Sequence, residues 1–173
     1  EMREMVEVPT DPLPLPSDIS PLELVTPSDA VDLGRVLDAS ANRAREGLRV
    51  IEDYARFALN DPMLTRRLKS VRHRMDEAIR GLDPVLLLDS RDAEGDVGAH
   101  VMAPLESTRE SPRAVLSANF KRAQEALRSL EEYSKLVDAW IAGRFEVARY
   151  DLYTLEKLVL TAVGAARTFE DVR

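Results

Sequence analysis

Apolar residues recur every three or four positions along most of this chain, which is the helical period. From Asp32 to about Leu59, the residues Leu37, Ala41, Ala44, Leu48, Ile51 and Ala55 fall on one face and predict an amphipathic helix. Asp61-Pro62 then supplies an N-cap and a first-turn proline, whose missing amide costs a helix start nothing. The second helix is expected to run to about Arg80, where Gly81 and Pro84 stop it. Ser111-Pro112 repeats the start signal for a third helix to about Leu136, with Val115, Phe120, Ala123, Leu127 and Leu130 inward. A fourth occupies roughly Asp138 to Ala166, with a bend expected at Gly143.

Two stretches break the period. Six prolines up to Pro27 mark residues 1–31 as an extended tail or linker, since each removes a backbone donor and disfavours helix before it. Between Pro84 and Ser111 an apolar Val85-Leu86-Leu87-Leu88 leads into the acidic Asp89-Ser90-Arg91-Asp92-Ala93-Glu94-Gly95-Asp96-Val97-Gly98. That is long for a connection between helices, and long loops tend to be functional. The expected organisation is one helical domain over 32–167 and a short tail over 168–173.

The strongest internal signal is a repeat. Arg43-Ala44-Arg45-Glu46-Gly47-Leu48-Arg49-Val50-Ile51-Glu52-Asp53-Tyr54 aligns without a gap with Arg122-Ala123-Gln124-Glu125-Ala126-Leu127-Arg128-Ser129-Leu130-Glu131-Glu132-Tyr133. Arg72-His73 and Arg149-Tyr150 echo one another in the helices that follow. The repeating unit is therefore a helical hairpin. Two tandem hairpins, about four main helices, predict an all-α bundle with pseudo-twofold symmetry.

On a helical wheel both copies crowd their charge to one flank of the apolar face. Asn42, Arg45, Arg49 and Glu52 form the stripe in the first, and Lys121, Gln124, Arg128 and Glu131 in the second. A solvated face needs only polarity and would tolerate reshuffled signs. The recurrence of Glu46, Arg49 and Glu52 as Glu125, Arg128 and Glu131 points instead to a ligand cleft or to an ion-pair network, because Glu52 and Glu131 lie closest to the core, where a carboxylate must be paired. The acidic loop can be read as turns in solvent or as carboxylates that hold a hydrated magnesium ion beside a phosphate. His73 and His100 are too scattered for a zinc site, and the tyrosines are expected in the core with bonded hydroxyls.

Composition narrows the classes. With 173 residues and 45% apolar content the chain supports one ordinary core. A net charge of −7 repels a phosphate backbone, so nucleic acid is not an expected partner. The lack of cysteine excludes disulfides, thiolate metal sites and a cysteine nucleophile, and fits a cytoplasmic protein. No apolar run is long enough to span a bilayer, so no membrane is expected. A start at Glu1 rather than Met is read as a partial chain with room for a partner domain. No phosphate-binding glycine loop, nucleophile elbow, zinc-protease motif or dinucleotide fingerprint occurs.

The run Asn42 to Asp53, the loop Ser90 to Gly98, the segment Ser117-Ala118-Asn119-Phe120-Lys121-Arg122-Ala123-Gln124-Glu125-Ala126-Leu127-Arg128, and Arg149-Tyr150-Asp151-Leu152-Tyr153-Thr154-Leu155-Glu156 together resemble one family. It is the alternative hydroxymethylpyrimidine-phosphate kinase family of thiamine biosynthesis, which also occurs fused ahead of thiamine-phosphate synthase. The likeness covers about Val36 to Ala166. It implies an enzyme, a phosphotransferase that moves the ATP γ-phosphoryl group to 4-amino-5-hydroxymethyl-2-methylpyrimidine phosphate with magnesium. Under it Glu52, Glu131 and Arg128 are the catalytic candidates, and Asp92 and Asp96 hold the metal. Asn42, Arg45, Arg49, Arg91, Asn119 and Lys121 bind substrate or phosphate. This chain has Ala39-Ser40 where the second copy has Ala118-Asn119, so position 40 offers a hydroxyl in place of an amide. The alternative implied by the same likeness is a non-catalytic helical binding or docking module, paired with a thiamine-phosphate synthase domain or with a second copy of itself.

Overall fold

The computed structural model describes residues 27–92, 94–97 and 108–170, with the backbone alone for Pro27 and for residues 166–170. Among the described residues there is no strand. Five helices follow one another: α1 (Pro27–Phe57), α2 (Pro62–Arg80), α3 (Pro84–Asp89), α4 (Pro112–Ser134) and α5 (Ala139–Glu170). Their starts share one chemistry. The Asp61 carboxylate accepts from the amides of Met63 and Leu64, both at 2.9 Å, and the Ser111 hydroxyl accepts from Ala114 at 3.2 Å. Asp138 does the same for Trp140 at 2.7 Å at the head of α5. Each satisfies amides that a helix start leaves without a partner.

Several boundaries differ from the sequence expectation. α1 begins at Pro27, so residues 27–31 are helical rather than linker, and residues 1–26 lie outside the described residues. α5 runs unbroken through Gly143 to Glu170, so residues 168–170 are helical rather than tail. The apolar Val85–Leu88 run is the body of α3. Pro84 does not merely stop α2; it opens the next helix, capped by the Asp83 carboxylate, which accepts from Val85 at 2.9 Å. Of the long loop, Ala93 and residues 98–107, which include His100, lie outside the described residues.

α1 lies against α2 and α4, and α5 against α4 and α2, which closes a four-helix ring, while α3 caps α1. The core runs through Leu37, Leu48 and Ile51 of α1, Leu68 and Met75 of α2, Phe120 and Leu127 of α4, and Phe145 and Leu152 of α5, all fully buried. The largest contact is between α1 and α4. Gly47 makes it possible, because a Cβ there would stand 3.0 Å from the Asn119 carbonyl oxygen and 3.2 Å from the Ala123 Cβ. Gly47 faces residues 119 and 123 while Ser40 shares a cavity wall with Ala126 and Ser129, so the two helices run antiparallel. The twofold relation is visible in a single contact. Arg74 and Asp151 are equivalent positions of the two repeats, and they pair with each other across α2 and α5. Equivalent residues meet in this way only beside the symmetry axis.

The tyrosines depart from expectation. Tyr54 packs partly against the core, but Tyr133, Tyr150 and Tyr153 are exposed. Tyr150 and Tyr153 lie edge to face at 5.9 Å and present their rings to the Arg149 guanidinium at 4.8 and 5.7 Å. They shield a cation rather than fill the interior.

Candidate functional site

The charged stripes divide into two parts once their partners are known. Glu52 is buried and accepts from Arg72 Nε of α2 at 2.9 Å. Glu131 is buried too, and accepts from Arg149 Nε of α5 at 2.8 Å and from Arg128 at 2.6 Å. The Glu131 carboxylate, with the Tyr153 hydroxyl at 3.2 Å, holds the Arg149 guanidinium even more firmly in its charged form than usual. Arg45 pairs with Asp76 of α2 at 2.9 Å, and its counterpart Gln124 donates to Glu156 of α5 at 2.7 Å. The inner edge of the stripe is therefore a bond between the two helices of each hairpin. Glu52 stands towards the C-terminal end of α1 and Glu131 towards that of α4, which antiparallel packing sets at opposite ends of the bundle. The two carboxylates do not converge.

What the two copies share is a groove along the α1/α4 seam, made of two adjoining cavities. The larger, about 680 Å³, is walled by Asn42, Arg91, Asp92 and Asp96 among the expected residues, and by Arg35, Asp38 and Tyr133. The smaller, about 390 Å³, is walled by Lys121 with Arg43, Arg109, Arg122 and Glu125. Ser40, Arg43 and Ser129 border both cavities.

The wall of the larger cavity is braced by the loop after α3. Arg91 donates through Nε and a terminal nitrogen to the two oxygens of buried Asp38, at 2.8 and 2.7 Å. This two-pronged contact raises the Arg91 pKa and fixes the loop against α1. Asp92, next in line, accepts from Arg35 at 3.2 Å and from the Gly95 amide at 2.8 Å. Positions 35 and 38 lie one helical turn apart, so adjacent loop residues grip adjacent turns of α1. Gly34 lets α3 approach, since a Cβ there would overlap the Ser90 side chain.

Asp92 and Asp96 thus share a cavity wall, although Asp92 already has two donors. Among the described residues no group of three or more His, Asp or Glu side chains is placed to hold a metal ion. An ion between these two carboxylates would need water and a ligand's phosphate oxygens for the rest of its shell. Of the other expected binding residues, Asn42 donates to Asp38 at 3.2 Å. The Asn119 amide turns back to the Val115 carbonyl of its own helix at 2.8 Å. Lys121 lies 3.5 Å from Glu156. Arg49 is exposed with no ion pair among the described residues. Arg128 is exposed and bridges Glu131 and Glu132.

Sequence reasoning passed over Arg43 and Arg122, although they are the first identical pair of the repeat. On the wheel they sit apart from the Glu-Arg-Glu stripe, and only the α1/α4 packing shows that they border a common cavity. Ser40, which offers a hydroxyl where the second copy has an amide, is buried at that seam, and its hydroxyl has no hydrogen-bond partner among the described residues.

Comparison with known proteins places the chain. It is 47% identical over 131 residues to a thiamine-phosphate synthase of Rhodopirellula baltica, a stretch covering 75% of this chain and 35% of that protein. It is 47% identical over 122 residues to the thiamine-phosphate synthase of Nostoc punctiforme, covering 70% and 34%. The same name belongs to a Synechococcus relative, 42% identical over 135 residues and covering 78% and 37%. The chain thus spans about a third of the length of the curated relatives it matches. No solved structure matches. These relatives carry the name of a different type of enzyme from a phosphomethylpyrimidine kinase, which corrects the expectation of a phosphotransferase of that kind. No described helix is long and apolar enough to cross a membrane. The family model that matches residues 35–158 is that of the ThiD2 family, and this chain, a protein of thiamine biosynthesis, belongs to it.

Proposed function

We propose that this chain is a helical binding and docking module that works with a thiamine-phosphate synthase and holds a small pyrimidine phosphate in the α1/α4 groove. The observation that carries the reading is the shared stretch itself: about a third of each synthase relative is homologous to most of this chain. The geometry favours binding over acid-base work. Glu52 and Glu131, the carboxylates nearest the core, are each neutralised by an arginine of the same hairpin and lie at opposite ends of the bundle. A general base needs a free carboxylate within reach of the proton it takes. The groove, by contrast, is concave, arginine-lined and shared by both repeats. This reading calls for neither ATP nor magnesium.

Two measurements test it. Calorimetry with the pyrimidine phosphate is expected to show saturable binding that ATP and magnesium leave unchanged. Sedimentation of the chain mixed with a thiamine-phosphate synthase is expected to show a heavier species than either alone. Absence of ligand binding, absence of a complex, or sustained ADP release in a coupled assay would each overturn the corresponding part of the proposal.

A further inference from the structure

The cations that border the groove differ in what they already touch. In the larger cavity Arg91 is locked to Asp38 and Arg35 to Asp92, so three arginines there face three aspartates and two of the three are neutralised in place. The smaller cavity is lined by Arg43, Arg109, Lys121 and Arg122 with one acid, Glu125, and Lys121 is already drawn to Glu156 at 3.5 Å. Arg43 and Arg122 have no ion-pair or hydrogen-bond partner among the described residues, and both are exposed to the cavity. The surrounding molecule carries a net charge of −7, so a locally cationic recess is a departure from its own background. Anions gain most where such charge is concentrated in a concave wall.

Resting on the ligand reading above, we infer that the smaller cavity is the phosphate subsite. Arg43 and Arg122, one from each repeat, clasp the phosphate monoester. The Ser40 hydroxyl is a third donor, and the organic ring extends into the larger cavity beside Tyr133. A tetrahedral dianion presents several acceptors at once, which suits planar guanidinium forks arriving from two helices. The ring side needs no net charge, and the larger cavity, with its internally paired ions, offers none. This assignment differs from one built on Arg45, Arg91 and Arg128, whose guanidiniums are already held by Asp76, Asp38 and Glu131.

The test is calorimetry on the full chain with 4-amino-5-hydroxymethyl-2-methylpyrimidine phosphate, its unphosphorylated alcohol and inorganic phosphate as probes. Arg43→Gln and Arg122→Gln are each expected to weaken the ester by about tenfold or more, the loss of one charged hydrogen-bonding partner. They should weaken inorganic phosphate in parallel and leave the alcohol unchanged. Arg67→Gln, an exposed arginine of α2 away from the groove, should bind the ester like the parent. Unchanged melting temperatures in all three show that the fold is intact. If the parent binds the ester and both groove variants bind it equally well, the subsite is wrong while the ligand reading stands. If the parent binds no ester, the ligand reading itself fails and the subsite with it. Equal weakening by Arg67→Gln would reduce the effect to bulk charge and overturn the assignment.

Discussion

At the scale of single residues, the sharpest consequence attaches to the buried ion pairs. Removing one member of such a pair leaves the other as an uncompensated charge, which costs about 3–5 kcal/mol. Glu131→Ala strands Arg149, whose side chain is 10% exposed, whereas Glu52→Ala leaves Arg72, 16% exposed, with Asp76 still at 3.9 Å. Chemical denaturation should show the larger loss for Glu131→Ala, and a change below about 1 kcal/mol would mean that water reaches the arginine. The neighbouring Glu132 differs in kind. Its hydrogen bond from Lys135, then the nearby Arg128, holds the exposed carboxyl below the usual range. A depressed carboxyl contributes stability above its unfolded pKa and loses it as pH falls through the folded one. Lys135→Met should therefore raise the Glu132 midpoint in an NMR titration. Asn60, at φ 49, closes the α1–α2 turn in the left-handed region. Asn60→Val should destabilise by about 1–2 kcal/mol, whereas Asn60→Gly should be neutral or better.

At the scale of elements, the helices were legible wherever period and cap agreed, as at Asp61-Pro62 and Ser111-Pro112. α3 was missed for a specific reason. Asp83-Pro84 is the same start signal, but it follows Gly81 so closely that the proline reads as a stop, and six residues are too few to display a period. The brace between loop and α1 was illegible too, because nothing in the sequence announces that positions 35 and 38 meet 92 and 91. Asp38→Ala should free Arg91 and loosen that loop, so limited proteolysis after Arg91 should speed up with little change in helical circular dichroism. For the α1/α4 seam, Gly47→Ala sets a gain of about 1 kcal/mol in helix propensity against tight contacts at Asn119 and Ala123. Gly47→Leu has no such compensation, and the forced separation should cost about 2 kcal/mol or more in a melt.

At the scale of the whole molecule, the repeat announced the architecture but not the packing between its copies. It foretold two hairpins and a twofold axis. It also drew the eye to the Glu-Arg-Glu stripe, whose inner members tie each hairpin to itself, and away from Arg43 and Arg122, whose meeting at one cavity is a property of packing between copies. A ligand held there is held by charge in an anionic molecule, so its affinity should fall several-fold between low and moderate salt, measurable by calorimetry. The partition of contacts also bears on history. Glu52 with Arg72, and Glu131 with Arg149, close within one copy, so a change in either half asks for no matching change in the other. Arg45 now stands opposite Gln124 and Asp76 opposite Tyr153, while the arginines at 43 and 122 are identical. A duplicated gene built this way lets those pairs drift independently in evolution and leaves the α1/α4 seam, with the α2–α5 pairs of Arg74 with Asp151 and Arg144 with Glu77, under joint selection.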